Sequence, residues 1–180
     1  AKFTRLETDD LLEDIDSPDP HVRMSLGFLP GEANNVARAE CEVDASIEEC
    51  ASWDYLTTSR KRLTKFYEGN GIDRKIKEEN SHCKISHSIY DLTGLFIIKN
   101  RDLLTKAVWK RSDEGDKITV AYVSVNDDEF APRNDSCVRM IGGTLLLFEK
   151  LAPIGSRNRT KVRFYSQVNL GGYIPIKFVN

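Results

Sequence analysis

His82, Cys83 and His87 form the densest group of metal-capable side chains in the sequence. A structural zinc needs four ligands converging on one point. In a strand Cys83 and His87 share a face while His82 points the other way, and no fourth ligand lies near in sequence. They read as ordinary strand residues. The four cysteines, Cys41, Cys50, Cys83 and Cys137, are widely spaced without a CxxC, so neither a zinc knuckle nor a redox dithiol is indicated. Reduced thiols in the cytoplasm are the simplest account of them. Serine, histidine and aspartate are all present, but no Gly-x-Ser-x-Gly elbow presents a nucleophile. Gly142-Gly143 and Gly171-Gly172 lack the GxxxxGK spacing of a phosphate cradle and open no clear helix, so they read as a bulge and a corner. The sequence names no catalytic residue, no metal site and no cofactor. Its function has to be sought in what the elements enclose.

With 180 residues, 40% hydrophobic and 30% charged, the chain fits one domain with one substantial core. The net charge of -2 is unevenly spread. Seven acids (Glu7, Asp9, Asp10, Glu13, Asp14, Asp16, Asp19) face only Lys2 and Arg5 at the start, which leaves the remainder mildly basic. That is too little for a nucleic-acid footprint. No run reaches the roughly 18 apolar residues of a membrane span, and no charged-then-apolar signal opens the chain, so a soluble, cytoplasmic protein is expected. The absent initiator Met and the stop at Asn180 suggest a piece of something longer.

Residues 1–20 give a weak amphipathic helix, with Leu6, Leu11, Leu12 and Ile15 near helical spacing, ended by Ser17-Pro18-Asp19-Pro20. They read as an acidic lead-in, with the domain running over 21–180. Residues 22–28 and 36–44 alternate with period 2 about the turn Pro30-Gly31-Glu32 and predict an antiparallel pair. Ser46 stands three residues before Glu49, a capping-box spacing, so 47–67 is predicted helical, broken near Thr57-Thr58-Ser59. After Gly69-Asn70-Gly71, strands are predicted over 72–79, 82–91, 103–111, 117–125, 136–151 (with a possible break at Gly142-Gly143) and 160–170. Residues 126–136 form a long loop, a length that usually has a task. The order predicts an α+β domain, a wide antiparallel sheet with helices segregated to one side. So few helices cannot cover a curved sheet of this width, so a bound apolar ligand or a further C-terminal helix is expected in its hollow.

The most specific segment is TKVRFYSQVNLGGYIPIKFVN at 160–180, an alternating strand that ends in a Gly-Gly-aromatic-x-Pro corner. With ARAECEVDASIEECASWDYL at 37–56, Asn100-Arg101-Asp102-Leu103 before a strand and Cys137-Val138-Arg139 opening another, it resembles the START (StAR-related lipid-transfer) domain, over about four-fifths of the chain. The resemblance implies a helix-grip fold: a curved antiparallel sheet around a tunnel for one lipid, without covalent chemistry, closed by a C-terminal lid helix that would begin where this chain stops. It places Ser88, Tyr90, Tyr122, Ser124, Met140, Phe164, Ser166 and Val168 as lining candidates, and residues 126–136 where the family has a mobile gate. For strand 82–91 the resemblance turns Ser88 and Tyr90 inward, whereas apolarity favours Cys83, Ile85, His87 and Ile89. Sequence leaves both open. Sterol-binding members keep an acid and an arginine where this chain has Ser88 and Ala107, so a phospholipid or other acyl lipid is expected instead.

Two basic clusters, Arg60-Lys61-Arg62 with Lys65 and Arg157-Arg159-Lys161, could touch anionic headgroups in transient membrane contact, or simply be solvated faces. Two other functions share the fold: a ligand-free interaction or regulatory module, and a cavity enzyme such as a cyclase or hydrolase, which would need a buried acid-base pair facing the cavity.

Overall fold

The computed structural model describes residues 12–28, 31, 34–92 and 99–172. Nine strands and two helices follow one another as β1 (Glu13–Ile15), β2 (Val22–Phe28), β3 (Asn35–Val43), α1 (Ile47–Tyr55), α2 (Arg60–Glu68), β4 (Gly71–Asn80), β5 (Cys83–Tyr90), β6 (Asn100–Arg111), β7 (Lys117–Ser124), β8 (Cys137–Ile154) and β9 (Arg157–Asn169). The strands make one sheet in the order β1-β2-β3-β9-β8-β7-β6-β5-β4. All consecutive neighbours are antiparallel. Where β7 stops at Ser124, the start of β8 takes its place beside β6 in a short parallel pairing, Asn100↔Cys137 to Leu103↔Met140. This is the curved α+β sheet of the helix-grip architecture.

Most elements follow the predicted alternation; β8 and β9 each extend three residues further towards their shared turn than predicted, to Ile154 and from Arg157, and three other differences have a local cause. Glu13–Ile15, expected within a helix, is an edge strand paired with Met24–Leu26, because backbone partners on β2 outweigh a weak helical spacing. Strand β6 starts at Asn100, before the predicted position, since Arg101 and Asp102 are held by neighbours on both sides. Strand β8 runs unbroken through Gly142-Gly143, which stay paired with Val168 and Gln167 of β9. A Cβ on Gly142 would sit 2.5 Å from the Gln167 carbonyl oxygen, so only glycine permits that approach.

The register aligns Met24, Ala39, Phe164, Leu146, Val120 and Trp109 in one row across the concave face. Helix α1 lies on this face: Ile47 and Ala51 pack with Ile118, Val120, Leu146 and Phe148. Complete burial of such side chains stabilises the fold by about 1.5–3 kcal/mol each. The opposite face is also partly covered. Ile85 and Leu104 lie under Phe130 and Ala131, and Val36 and Tyr165 pack with Leu12, Leu145 and Leu147.

The loop of residues 126–136 is thus seated on the face away from the concave hollow, where Ala131 is 1% exposed. Arg139 donates to the Ala131 carbonyl at 3.0 Å and to Asp102 at 2.7 Å, and His87 Nε2 lies 2.9 Å from the same Asp102 oxygen. Past β9 the chain turns at Gly171 and Gly172, both with positive φ. The buried Arg101 guanidinium donates to the carbonyls of Leu170 and Gly171 and fixes this corner. The rest of the Gly-Gly-aromatic-x-Pro motif, 173–180, lies outside the described residues.

Candidate functional site

A cavity of about 330 Å3 opens on the concave face between the helices and strands β4 to β9. Its apolar wall is Leu103, Leu146, Phe164 and Val168. Its polar wall gathers Asp54 and Thr57 from the end of α1 and the link beyond it, Arg62 from α2, Arg74 from β4, and Ser86 and Ser88 from β5. Tyr90 and Tyr122 stand between the two. Such convergence of a few polar groups on an otherwise apolar hollow is the common form of a small-ligand site.

Local sequence explains the placement. Ser46 caps α1 in the predicted capping box with Glu49, and Ser59 caps α2 by accepting from the Arg62 amide. The break between the two helices brings Asp54 and Arg62 to the same hollow. Ser86, Ser88 and Tyr90 face the cavity, so Cys83, Ile85 and His87 take the other side of β5, where Ile85 packs under the 126–136 loop.

Each polar wall group has a defined environment. The Tyr122 hydroxyl donates to Asp54 Oδ2 at 2.7 Å. Burial pushes the Asp54 carboxyl above its usual range, against the opposing pull of the Tyr122 hydrogen bond, Arg62 and Lys84. Burial, with Asp54 adjacent, likewise drives the Tyr122 phenol up. Behind the wall, Lys84 donates to the Tyr55 carbonyl and stands 4.1 Å from the Tyr55 ring centroid, and burial lowers its ammonium pKa. Arg74 donates through Nε to Ser88 Oγ at 2.9 Å and lies over the Phe66 ring at 3.9 Å. Arg62 Nε is buried and, among the described residues, has no hydrogen-bond partner.

Of the eight lining candidates, Ser88, Tyr90, Tyr122, Phe164 and Val168 are on the cavity wall. Ser124, Met140 and Ser166 are not. Ser124 Oγ accepts the Gly142 amide at 2.8 Å, where β8 passes from β6 to β7. Met140 is buried opposite Leu103 at the parallel β6–β8 pairing. Ser166 lies one step behind the wall, 3.1 Å from the hydroxyl of the lining residue Thr144. Asp54 and Arg74 escaped the sequence reading, and Arg62 entered it only as part of a basic surface cluster. Two signals for them existed: cations in the first turn of a helix, and Arg74 in the alternation phase of Ile72 and Ile76.

A larger hollow, about 800 Å3, runs along another side of α1, from Glu48 to Leu56, against Val108 and Trp109. Among its polar groups, Glu48 pairs with Arg111, and Trp109 Nε1 donates to the Ser81 carbonyl at 2.9 Å. Its surface is largely apolar, so the smaller cavity, where a polar and an apolar wall meet, is the better site for a ligand with a polar head. The metal-capable residues are dispersed: His82 stacks on Trp109 at 4.2 Å, Cys83 meets Glu79, and His87 meets Asp102. Of the two basic clusters, the second is neutralised, with Arg157 on Asp44, Arg159 on Glu42 and Lys161 on Glu40. Among the described residues no helix is long and apolar enough to cross a membrane.

Comparison with known proteins bears on this geometry. The START domain profile matches residues 75–180. No curated protein matches the sequence. The solved structure of human StAR-related lipid transfer protein 5 superposes with a TM-score of 0.76 at 20% identity, over 99% of this chain and 82% of that one. Human STARD10 gives 0.73 at 17% identity, over 99% and 70%. A STAR-related lipid transfer protein fragment from Xanthomonas axonopodis gives 0.68 at 14%, over 94% and 88%. At such identities the likeness to these structures is one of fold.

Proposed function

The chain belongs to the START domain family, and from that footing we propose that it takes up an acyl lipid, a phospholipid or another of that class, for transfer or sensing. The carrying observation is the two-part wall of the 330 Å3 cavity, with donors and acceptors at the α1–α2 end and Leu103, Leu146, Phe164 and Val168 at the other. Apolar carbon buried against that second part contributes about 25 cal/mol per Å2, and the polar end sets orientation. A sterol is the poorer fit. Ser88, which stands where sterol-binding relatives resemble one another in carrying an acid, has its hydroxyl engaged by Arg74, and Ala107, at the arginine position, is fully buried. Membrane contact during exchange would fall to the exposed Arg60 and Lys61, since Arg157, Arg159 and Lys161 are paired.

The test is native mass spectrometry of the protein after incubation with vesicles of phosphatidylcholine, phosphatidic acid and cholesterol. A retained acyl lipid at one per chain is expected. Retention of cholesterol alone would overturn the acyl reading, and bare protein throughout would favour a ligand-free interaction module.

One observation supports a second reading. Asp54 and Tyr122 form a half-buried, hydrogen-bonded pair of the kind that a cavity enzyme would use as acid and base, whereas His87 is paired with Asp102 instead. Turnover of an acyl ester that is lost in Asp54→Asn while the lipid is still retained would establish it.

A further inference from the structure

We infer that the polar end of the bound lipid is an anion, a carboxylate or a phosphate, held between Arg62 and Arg74; this rests on the lipid-binding reading above. Two guanidiniums line the polar wall against the single carboxylate of Asp54, and that carboxylate is already engaged by the Tyr122 hydroxyl. The wall therefore carries excess positive charge on half-buried side chains, which an uncharged head would leave uncompensated.

The two arginines are prepared differently. Arg74 is fixed in place by Ser88, by the Thr57 carbonyl at 3.4 Å and by the face of Phe66. It presents a planar donor set of fixed direction, the arrangement that suits a two-oxygen anion. Arg62 has a buried Nε–H with no acceptor among the described residues. Buried donors are nearly always satisfied, so this guanidinium is not locked by the protein through Nε, while the Arg62 side chain lines the cavity wall.

Helix α2 adds a third, independent term. Its first turn consists of Arg60, Lys61 and Arg62 and contains no acid, although the positive end of the helix dipole disfavours cations there. An anion seated at Arg62 removes part of that repulsion. The acyl chain then leaves along Leu146, Phe164 and Val168, away from the charged end.

The test uses three single-chain ligands that share one oleoyl chain and differ only in the head: oleate, oleoyl lysophosphatidate and uncharged monoolein, titrated below their critical micelle concentrations. Oleate or lysophosphatidate should bind at least about tenfold tighter than monoolein, as one or two charge-assisted hydrogen bonds give. Whichever of the two binds tighter identifies the carboxylate or phosphate source. Arg62→Gln and Arg74→Gln should each reduce anion affinity about tenfold more than they reduce monoolein affinity. Asp54→Asn, which keeps an acceptor for Tyr122 and removes the competing charge, should tighten anion binding, an effect that a purely structural role for Asp54 would not produce. Equal affinity for all three ligands in the unmodified protein would overturn the anion inference and leave lipid binding standing. Binding of none would remove the lipid reading itself.

Discussion

The two helices on the concave face have nine residues each and obey opposite rules. Helix α1 begins with Ser46 in a capping box, carries Glu48 and Glu49 in its first turn and buries Ile47 and Ala51 against four strand residues. Helix α2 has a serine cap but no box, three cations in its first turn and only Phe66 fully buried. Local preference and tertiary packing agree in the first and conflict in the second. Conflicts of that kind mark places where a sequence serves something besides stability. The contrast assigns α1 to holding the sheet and α2 to presenting charge to the cavity.

The largest effect separating the helices should come from truncation. Ile47→Ala should cost about 2–5 kcal/mol in urea unfolding, because it opens a hole in the α1 core. Leu63→Ala on the half-buried side of α2 should cost clearly less; equal losses would erase the distinction. Next comes the pH response of Asp54, which sits at the end of α1 but faces Arg62. Burial raises its native pKa above the unfolded value, so the native state binds the proton more readily. Stability should rise as pH falls from neutral through the raised pKa towards the unfolded one. Asp54→Asn should flatten that rise, and an unchanged slope would show that the carboxylate is not strained. Glu149, held low chiefly by its Lys117 hydrogen bond, acts in the opposite sense, its stabilising share being lost as pH falls through its native pKa.

A smaller effect is expected at the caps. Ser46→Ala should cost about 1 kcal/mol, since it removes the Glu49 amide acceptor and half of the box. The smallest should be a gain. Arg60→Glu and Lys61→Glu should each stabilise the ligand-free protein by about 0.3–1 kcal/mol through the helix dipole, measured at low salt. If the same changes also slow lipid exchange with anionic vesicles, the opposition between stability and charge in α2 is sharpened. If stability falls, it is broken.

Much of the fold was legible because alternation is a strong signal where one sheet face is wet, as in β2 and β9. The Ser46–Glu49 spacing gave the start of α1 for a local reason that needs no tertiary partner. Strand β5 resisted because both its faces are covered: Ile85 meets the 126–136 loop and His87 meets Asp102, while Ser86 and Ser88 meet the cavity, so apolarity pointed to the wrong side. The polar half of the site was illegible for a related reason. Arg62 and Arg74 look like ordinary surface cations until the helix break and the sheet's curvature turn them inward. Edge strand β1 failed for want of length, as three residues carry no period.

The position of β9 between β8 and β3 has a consequence for biosynthesis. Ala37 and Ser166 are register partners, so the amino-terminal hairpin has no place to dock until the ribosome has delivered the strand that ends at Asn169. Until then Val36 waits without Tyr165, Leu145 and Leu147, its eventual cover, and closure depends on contacts between distant parts of the chain, which form slowly. The nascent protein therefore passes through a sticky half-assembled stage, the interval in which a chaperone has most to offer.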